Sequence, residues 1–136
     1  MVIVVGKRAF CDCFEELFPE EFVAAENRAV INAPQSVVIV QNGAEADVRA
    51  ALAVVVDDGS LGKFPRGIQL ITCGISSKNT ISVTSRADDK ITLSLNRAVR
   101  GKSGLIEPLE QPVERIDGFS EYDYMAAFAA ELLLKK

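Results

Sequence analysis

Three short runs of apolar, mostly β-branched residues constrain this chain most: "VIVV" at residues 2–5, "SVVIVQ" at 36–41 and "IQLITC" at 68–73. A strand with one wet face alternates apolar and polar residues, so a run without alternation belongs in a sheet covered on both faces. Sheets of that kind are built from parallel strands joined by crossovers, and helices are their usual cover. The three runs therefore predict a largely parallel core.

The segments between them read as helices. Phe10, Cys13, Phe14 and Leu17 fall at i, i+3, i+4 and i+7, a helical stripe that Pro19 stops. "PEEFVAAEN" at 19–27 suits a second short helix, with Pro at its first position and Glu20 and Glu21 at the favourable end of the dipole. "NGAEADVRAALAVVVDDG" at 42–59 reads as a third, with Asn42 as N-cap and Gly59 as stop. "GSLGKFPRG" at 59–67 is a loop by its glycines and Pro65.

Beyond residue 79 the period changes. In "TISVTS" and "KITLSLNR" the apolar Ile81, Val83, Ile91, Leu93 and Leu95 alternate with Thr, Ser and Lys, and "RADD" at 86–89 joins the two as an antiparallel hairpin. The tail returns to helix, with Tyr122, Met125, Ala126, Ala129, Leu132 and Leu133 along one stripe and Lys135 and Lys136 at the end the dipole favours. The expected architecture is one α/β domain over residues 1–136: three layers, a mostly parallel sheet extended by an antiparallel hairpin, helices on both faces and a C-terminal helix closing one side.

Charge and composition exclude several functions. The 15 Lys and Arg against 19 Asp and Glu are interspersed and leave a net charge of −4, which opposes nucleic-acid binding through phosphates. The first apolar stretch spans four residues before Gly6, Lys7 and Arg8, too short for a signal peptide. No window approaches the roughly twenty apolar residues of a membrane helix. Three cysteines, an odd number, fit a reducing compartment, and a soluble cytoplasmic protein is expected.

The histidine count is zero, which removes the commonest general base, the Ser-His and Cys-His pairs and the most frequent zinc ligand. "CDC" at Cys11 and Cys13 lacks the spacing of zinc cysteine pairs, so no metal is expected there. "GKSG" at 101–104 ends like a P-loop, but Asn96 stands where the first glycine belongs, and it reads as a loop. Asp57 and Asp58 before Gly59 fit a helix end better than a metal site. The candidates that remain are at strand ends: Lys7 and Arg8 after the first run, where α/β sheets bind anions, and Cys73, Gly74, Ser76, Ser77, Lys78 and Asn79 after the third. Ser and Asn are equally ordinary turn residues that bond their own backbone.

The stretch "IQLITCGISSKNTISVTSRADDKITLSLNRAVRGKSGLIEPLEQPV" resembles the end of the central domain of the Mur ligases, the ATP-dependent peptide ligases of bacterial cell-wall synthesis. In that family a strand ending "xxTYGxxxxAD" leads into antiparallel strands. "LITCG" holds that corner here, "TISVTS" and "KITLSLNR" hold the strands, and "SVVIVQNGAEADVRAALAVVVDDG" would hold the preceding strand and helix. The resemblance would bring ATP and a UDP-linked substrate only through a P-loop, magnesium ligands and lysine and histidine positions that this chain lacks, so no catalytic residue and no cofactor is carried over.

The expectation is a small noncatalytic binding or accessory protein, a Mur-ligase-like remnant tied to cell-envelope metabolism, with a protein partner or a small anionic ligand and no nucleic acid or membrane. The balance is against an enzyme. The alternative is a small nucleotide- or anion-binding enzyme in which Lys7, Arg8 and Lys78 contact the anion and Ser76, Ser77 and Asn79 orient it. A homodimer through the C-terminal stripe or the hairpin edge is a third reading.

Overall fold

The computed structural model describes residues 1–59, 64 and 67–135. Its elements in chain order are β1 (Val2–Gly6), α1 (Arg8–Glu15), β2 (Phe22–Glu26), β3 (Arg28–Val40), β4 (Glu45–Asp57) and β5 (Leu70–Cys73). They continue with β6 (Ile81–Arg86), β7 (Lys90–Leu95), β8 (Val99–Gly101), β9 (Gly104–Ile106), β10 (Leu109–Glu114) and α2 (Glu121–Leu134). An eight-stranded sheet has the order β10-β7-β6-β5-β4-β3-β1-β2, and β8 pairs with β9 apart from it. Neighbours from β2 across to β6 are parallel, whereas β6–β7 and β7–β10 are antiparallel. The α/β class, the mostly parallel sheet, its antiparallel hairpin and the C-terminal helix are all present.

Two of the expected helices are strands. "FVAAE" forms β2, which covers the edge that β1 would otherwise leave open, and "EADVRAALAVVVD" forms β4, which enters the sheet between β3 and β5. Helix propensity separates most residues by less than about 0.7 kcal/mol, a preference that burial of Val54, Val55 and Val56 readily overrides. The expected helices on both faces are accordingly corrected: α1 and α2 pack on one face only. Except at Gly59, Phe64 and Gly67, the expected 59–67 loop lies outside the described residues.

The second face is covered by the chain's own return segments. Asn27, at φ +60°, donates its N–H to Gly6 O (3.0 Å) at the carboxyl end of β1, while Val37 N–H donates to Met1 O (3.0 Å) at the amino end. Residues 28–36 must therefore run back along the sheet before residues 37–40 join it beside β1. The first half of β4 repeats this course, since Arg28 lies beside Glu45 and Val37 beside Ala53, with register breaks between the halves. Ile31 and Val48 of these return segments pack on Ile3, Val5, Val38, Val40, Val54 and Val56. Outward-facing Arg28 and Glu45 form an exposed ion pair at 3.1 Å, of small energetic value.

On the other face Val2, Val4, Val37, Ile39 and Val55 meet Phe10 and Phe14 of α1 and Met125, Phe128 and Ala129 of α2. α2 opens with a capping box, in which Asp123 N–H donates to Ser120 Oγ (3.2 Å) and Ser120 N–H to Asp123 Oδ2 (2.9 Å). Arg86 of β6 grips Glu121 with two nitrogens and holds its carboxyl below the usual range. The expected stripe of α2 is in the core, Lys135 follows the last turn, and Lys136 is outside the described residues. Among the described residues no helix is long and apolar enough to cross a membrane.

Neither expected dimer surface is open. The α2 stripe is packed, and β10 covers the outer edge of β7, ending the sheet with Pro112, Glu110 and Glu114. The unblunted edge is β2, where Val23 is 43% exposed.

Replacing Ile31, 5% exposed, by alanine removes packing from the second layer and is expected to cost about 2–4 kcal/mol. Val30, its outward neighbour at 73% exposed, should tolerate alanine within about 0.5 kcal/mol. Urea unfolding of the two variants checks this pair, and equal costs would contradict the assigned inward and outward faces.

Candidate functional site

Because β1, β3, β4 and β5 run parallel, their carboxyl ends share one edge of the sheet. Lys7 and Arg8 follow β1 there, and Cys73 and Gly74 end β5. The order of strands sets them apart: β3 and β4 intervene, a separation of roughly 14 Å at about 4.8 Å per strand. Asp57 and Asp58, at the end of β4, occupy the space between.

The corner after β5 is tied together by its own polar groups. Asn79 Nδ2 donates to Asp58 Oδ2 (3.1 Å) and to Ser76 O (3.0 Å), and Asp58 N–H donates to Cys73 O (2.9 Å). Asn96, from the end of β7, donates to Asn79 O (3.0 Å) and Ser82 Oγ (2.9 Å), while Thr80 N–H reaches Thr72 Oγ1 (3.1 Å). Ser76 Oγ accepts from Lys78 N–H (3.2 Å), a local turn bond, and Arg97 donates to Lys78 O. Among the described residues no buried side-chain nitrogen or oxygen lacks a partner. Both strand-end glycines are set by close approach. A Cβ on Gly74 would lie 2.2 Å from Asp58 Oδ2, and one on Gly6 2.6 Å from Gln41 Oε1, the atom that accepts from Lys7 N–H.

Of the expected site residues, the structure thus brings Cys73, Gly74, Ser76 and Asn79 together around Asp58, leaves Ser77 and Lys78 on an exposed loop, and holds Lys7 and Arg8 exposed on the far side of β4. A cleft of about 250 Å³ lies beside this corner, lined by Asp57, Asp58, Cys73, Gly74, Glu121 and Tyr122 among others. Its charge is negative. The Cys73 thiol is fully buried, and that burial, with Asp57 and Asp58 adding to it, pushes its pKa far above the ordinary thiol range, so it stays protonated. Burial likewise raises Cys11 and Cys13. Tyr122 is anchored, its hydroxyl lying 2.7 Å from Val40 O and 3.1 Å from Val55 O. Among the described residues no set of three His, Cys, Asp or Glu is arranged to hold a metal ion. "GKSG" is the turn of the β8–β9 ribbon, with Gly101 and Gly104 paired across it.

The larger hollows are elsewhere, on the helix-covered face. One of about 390 Å³ lies between the end of α1, β10 and α2, lined by Leu17, Val113, Phe119, Tyr124 and Phe128 with Glu131 at its end. A second of about 360 Å³ continues past Glu131 to Phe18, Pro19 and Leu134. The signal for this trough is Tyr124, Ala127, Phe128 and Glu131 at i, i+3, i+4 and i+7, a second stripe on α2 that the core stripe overshadows.

Gly74→Ala and Asn79→Ala should each cost about 1–3 kcal/mol, by overpacking and by loss of the buried amide's bonds to Asp58 Oδ2 and Ser76 O respectively. Ser77→Ala and Lys78→Ala should stay within about 0.5 kcal/mol. Iodoacetamide at pH 8 should label Cys73 only after unfolding; labelling of the folded protein would contradict the buried thiol.

No protein-family model matches the chain and no curated protein matches it either, so the functional reading rests on this geometry.

Proposed function

We propose that the chain is a noncatalytic binding or accessory module whose binding surface is the apolar trough beside α2. The observation that carries this reading is a division of labour. Asp58, Asn79 and Asn96 at the strand-end corner are bonded to one another and to backbone, while the hollows of ligand size are apolar and lie on the helix face. Ligand sites are commonly about 300–1,000 Å³ and mostly apolar. The anion-binding alternative meets Asp57 and Asp58 in the strand-end cleft, where their charge repels phosphate.

The Mur-like kinship and the link to cell-envelope metabolism are proposed on the sequence layout over residues 68–113. The helix that this layout would place before "LITCG" is β4. Free Cys11, Cys13 and Cys73 support a reducing, cytoplasmic setting. The unblunted edge of β2 supports a second copy as a further partner, through antiparallel strand pairing.

The test pairs a neutral apolar fluorophore, N-phenyl-1-naphthylamine, with nucleotides and UDP-sugars in thermal melts. Saturating fluorophore should brighten and raise the melting point, a ligand at a hundredfold its dissociation constant adding roughly 2.7 kcal/mol. Ala127→Trp, which fills the trough, should abolish both effects in a folded protein. A melting shift from a nucleotide or UDP-sugar that Lys78→Ala removes would instead establish the strand-end site.

A further inference from the structure

The trough is not uniformly greasy. Glu131 stands where the two hollows meet, on the same face of α2 as Tyr124, Ala127, Phe128 and Leu134. Among the described residues it has no ion pair and no side-chain hydrogen bond, whereas Glu121 is held by Arg86 and Glu21 by the N-terminal ammonium at 3.4 Å. The charged groups around the trough are the carboxylates Glu20, Glu21, Glu114 and Glu131 and the cations Arg115 and Lys135. Arg115 directs its Nε to Ala87 O at 3.1 Å, and among the described residues neither it nor Lys135 forms an ion pair with Glu131. An apolar channel with an unmatched carboxylate at its midpoint is complementary to a molecule with an apolar body and one positive charge.

We propose that the trough takes a cationic amphiphile, an alkyl- or arylalkyl-ammonium class of ligand, with its apolar body along Phe128 and Phe119 and its ammonium against the Glu131 carboxylate. Crowding by apolar neighbours already pushes the Glu131 carboxyl above its ordinary range although solvent still reaches the residue, and an adjacent ammonium would relieve that cost. A partly desolvated, charge-assisted hydrogen bond exceeds a neutral one, which gives the site selectivity for charge as well as for shape. The proposal depends on the trough being the binding surface, and names its ligand class.

Competition against bound N-phenyl-1-naphthylamine separates the two claims. Decylammonium, decanol and decanoate share one chain length and differ in head-group charge at pH 7. Decylammonium should displace the fluorophore at about five- to tenfold lower concentration than decanol, with decanoate weakest. Glu131→Gln should remove the advantage of decylammonium over decanol while leaving decanol unchanged. Equal displacement by all three, or an advantage that survives Glu131→Gln, overturns the cationic assignment and leaves the trough as a binding surface. Failure of the fluorophore to bind overturns both. If light scattering shows a dimer whose dissociation on dilution restores fluorophore binding, a second copy occupies the trough and the amphiphile is excluded.

Discussion

Burial of β1, β3 and β4 on both faces is the constraint from which the rest of the structure follows. Val2, Val4, Val5, Val37, Val38, Ile39, Val54, Val55 and Val56 are all at 0% exposure. Val2, Val4, Val37, Ile39 and Val55 face the helices and the others face away, so each set loses most of its stabilising value if its own face opens to water. Among the described residues two helices cover one face, and the chain's own return segments cover the other. Residues 28–33 and 45–51 turn back from the sheet and lay Ile31 and Val48 over it, so each strand carries its own lid. The backbones of these lids pair with one another along their shared edge.

That winding also decides where binding can occur. The strand-end edge, the usual ligand position of parallel sheets, is crossed by the return of the chain at Asn27 and Gln41, and its remaining polar groups brace the corner after β5. Asp58 and Asn79 approach so closely that a side chain at 74 would displace them. The helix face is packed less tightly at its margin, because α1 ends at Glu15 and leaves Leu17 and Phe18 beside an α2 that is apolar nearly all round. Hollows form at that margin and not at the strand ends.

The sequence shows some of this and conceals the rest for physical reasons. Unbroken β-branched runs identified β1, the end of β3 and β5, and alternation identified the β6–β7 hairpin. β4 carried the same β-branched signature in Val54–Val56, and "EADVRA" alternates strictly, with Glu45, Asp47 and Arg49 outward and Ala46 and Val48 inward. A capping Asn42, an Ala-rich composition and Gly59 imitate a helix over the same residues, and only the need to cover the second face decides between them. In "RAVINA" the alternation is blurred by outward-facing Val30. At the corner, the place of Cys73 and Gly74 was legible, whereas the partners that fix it, Asp58 and Asn96, come from strands remote in sequence. The trough stripe on α2 was written at helical spacing but shares its helix with the core stripe, and spacing alone does not say which face remains open.

The most direct measurement is the pattern of nuclear Overhauser effects over residues 27–57. Parallel pairing of the return segments requires interstrand amide-to-α-proton contacts between residues 28–33 and 45–51, including the neighbourhood of Arg28 and Glu45, with extended-chain sequential contacts throughout. Consecutive amide-to-amide contacts over residues 44–56 would mean a helix there, and would contradict the two-faced burial on which the placement of every site described above depends.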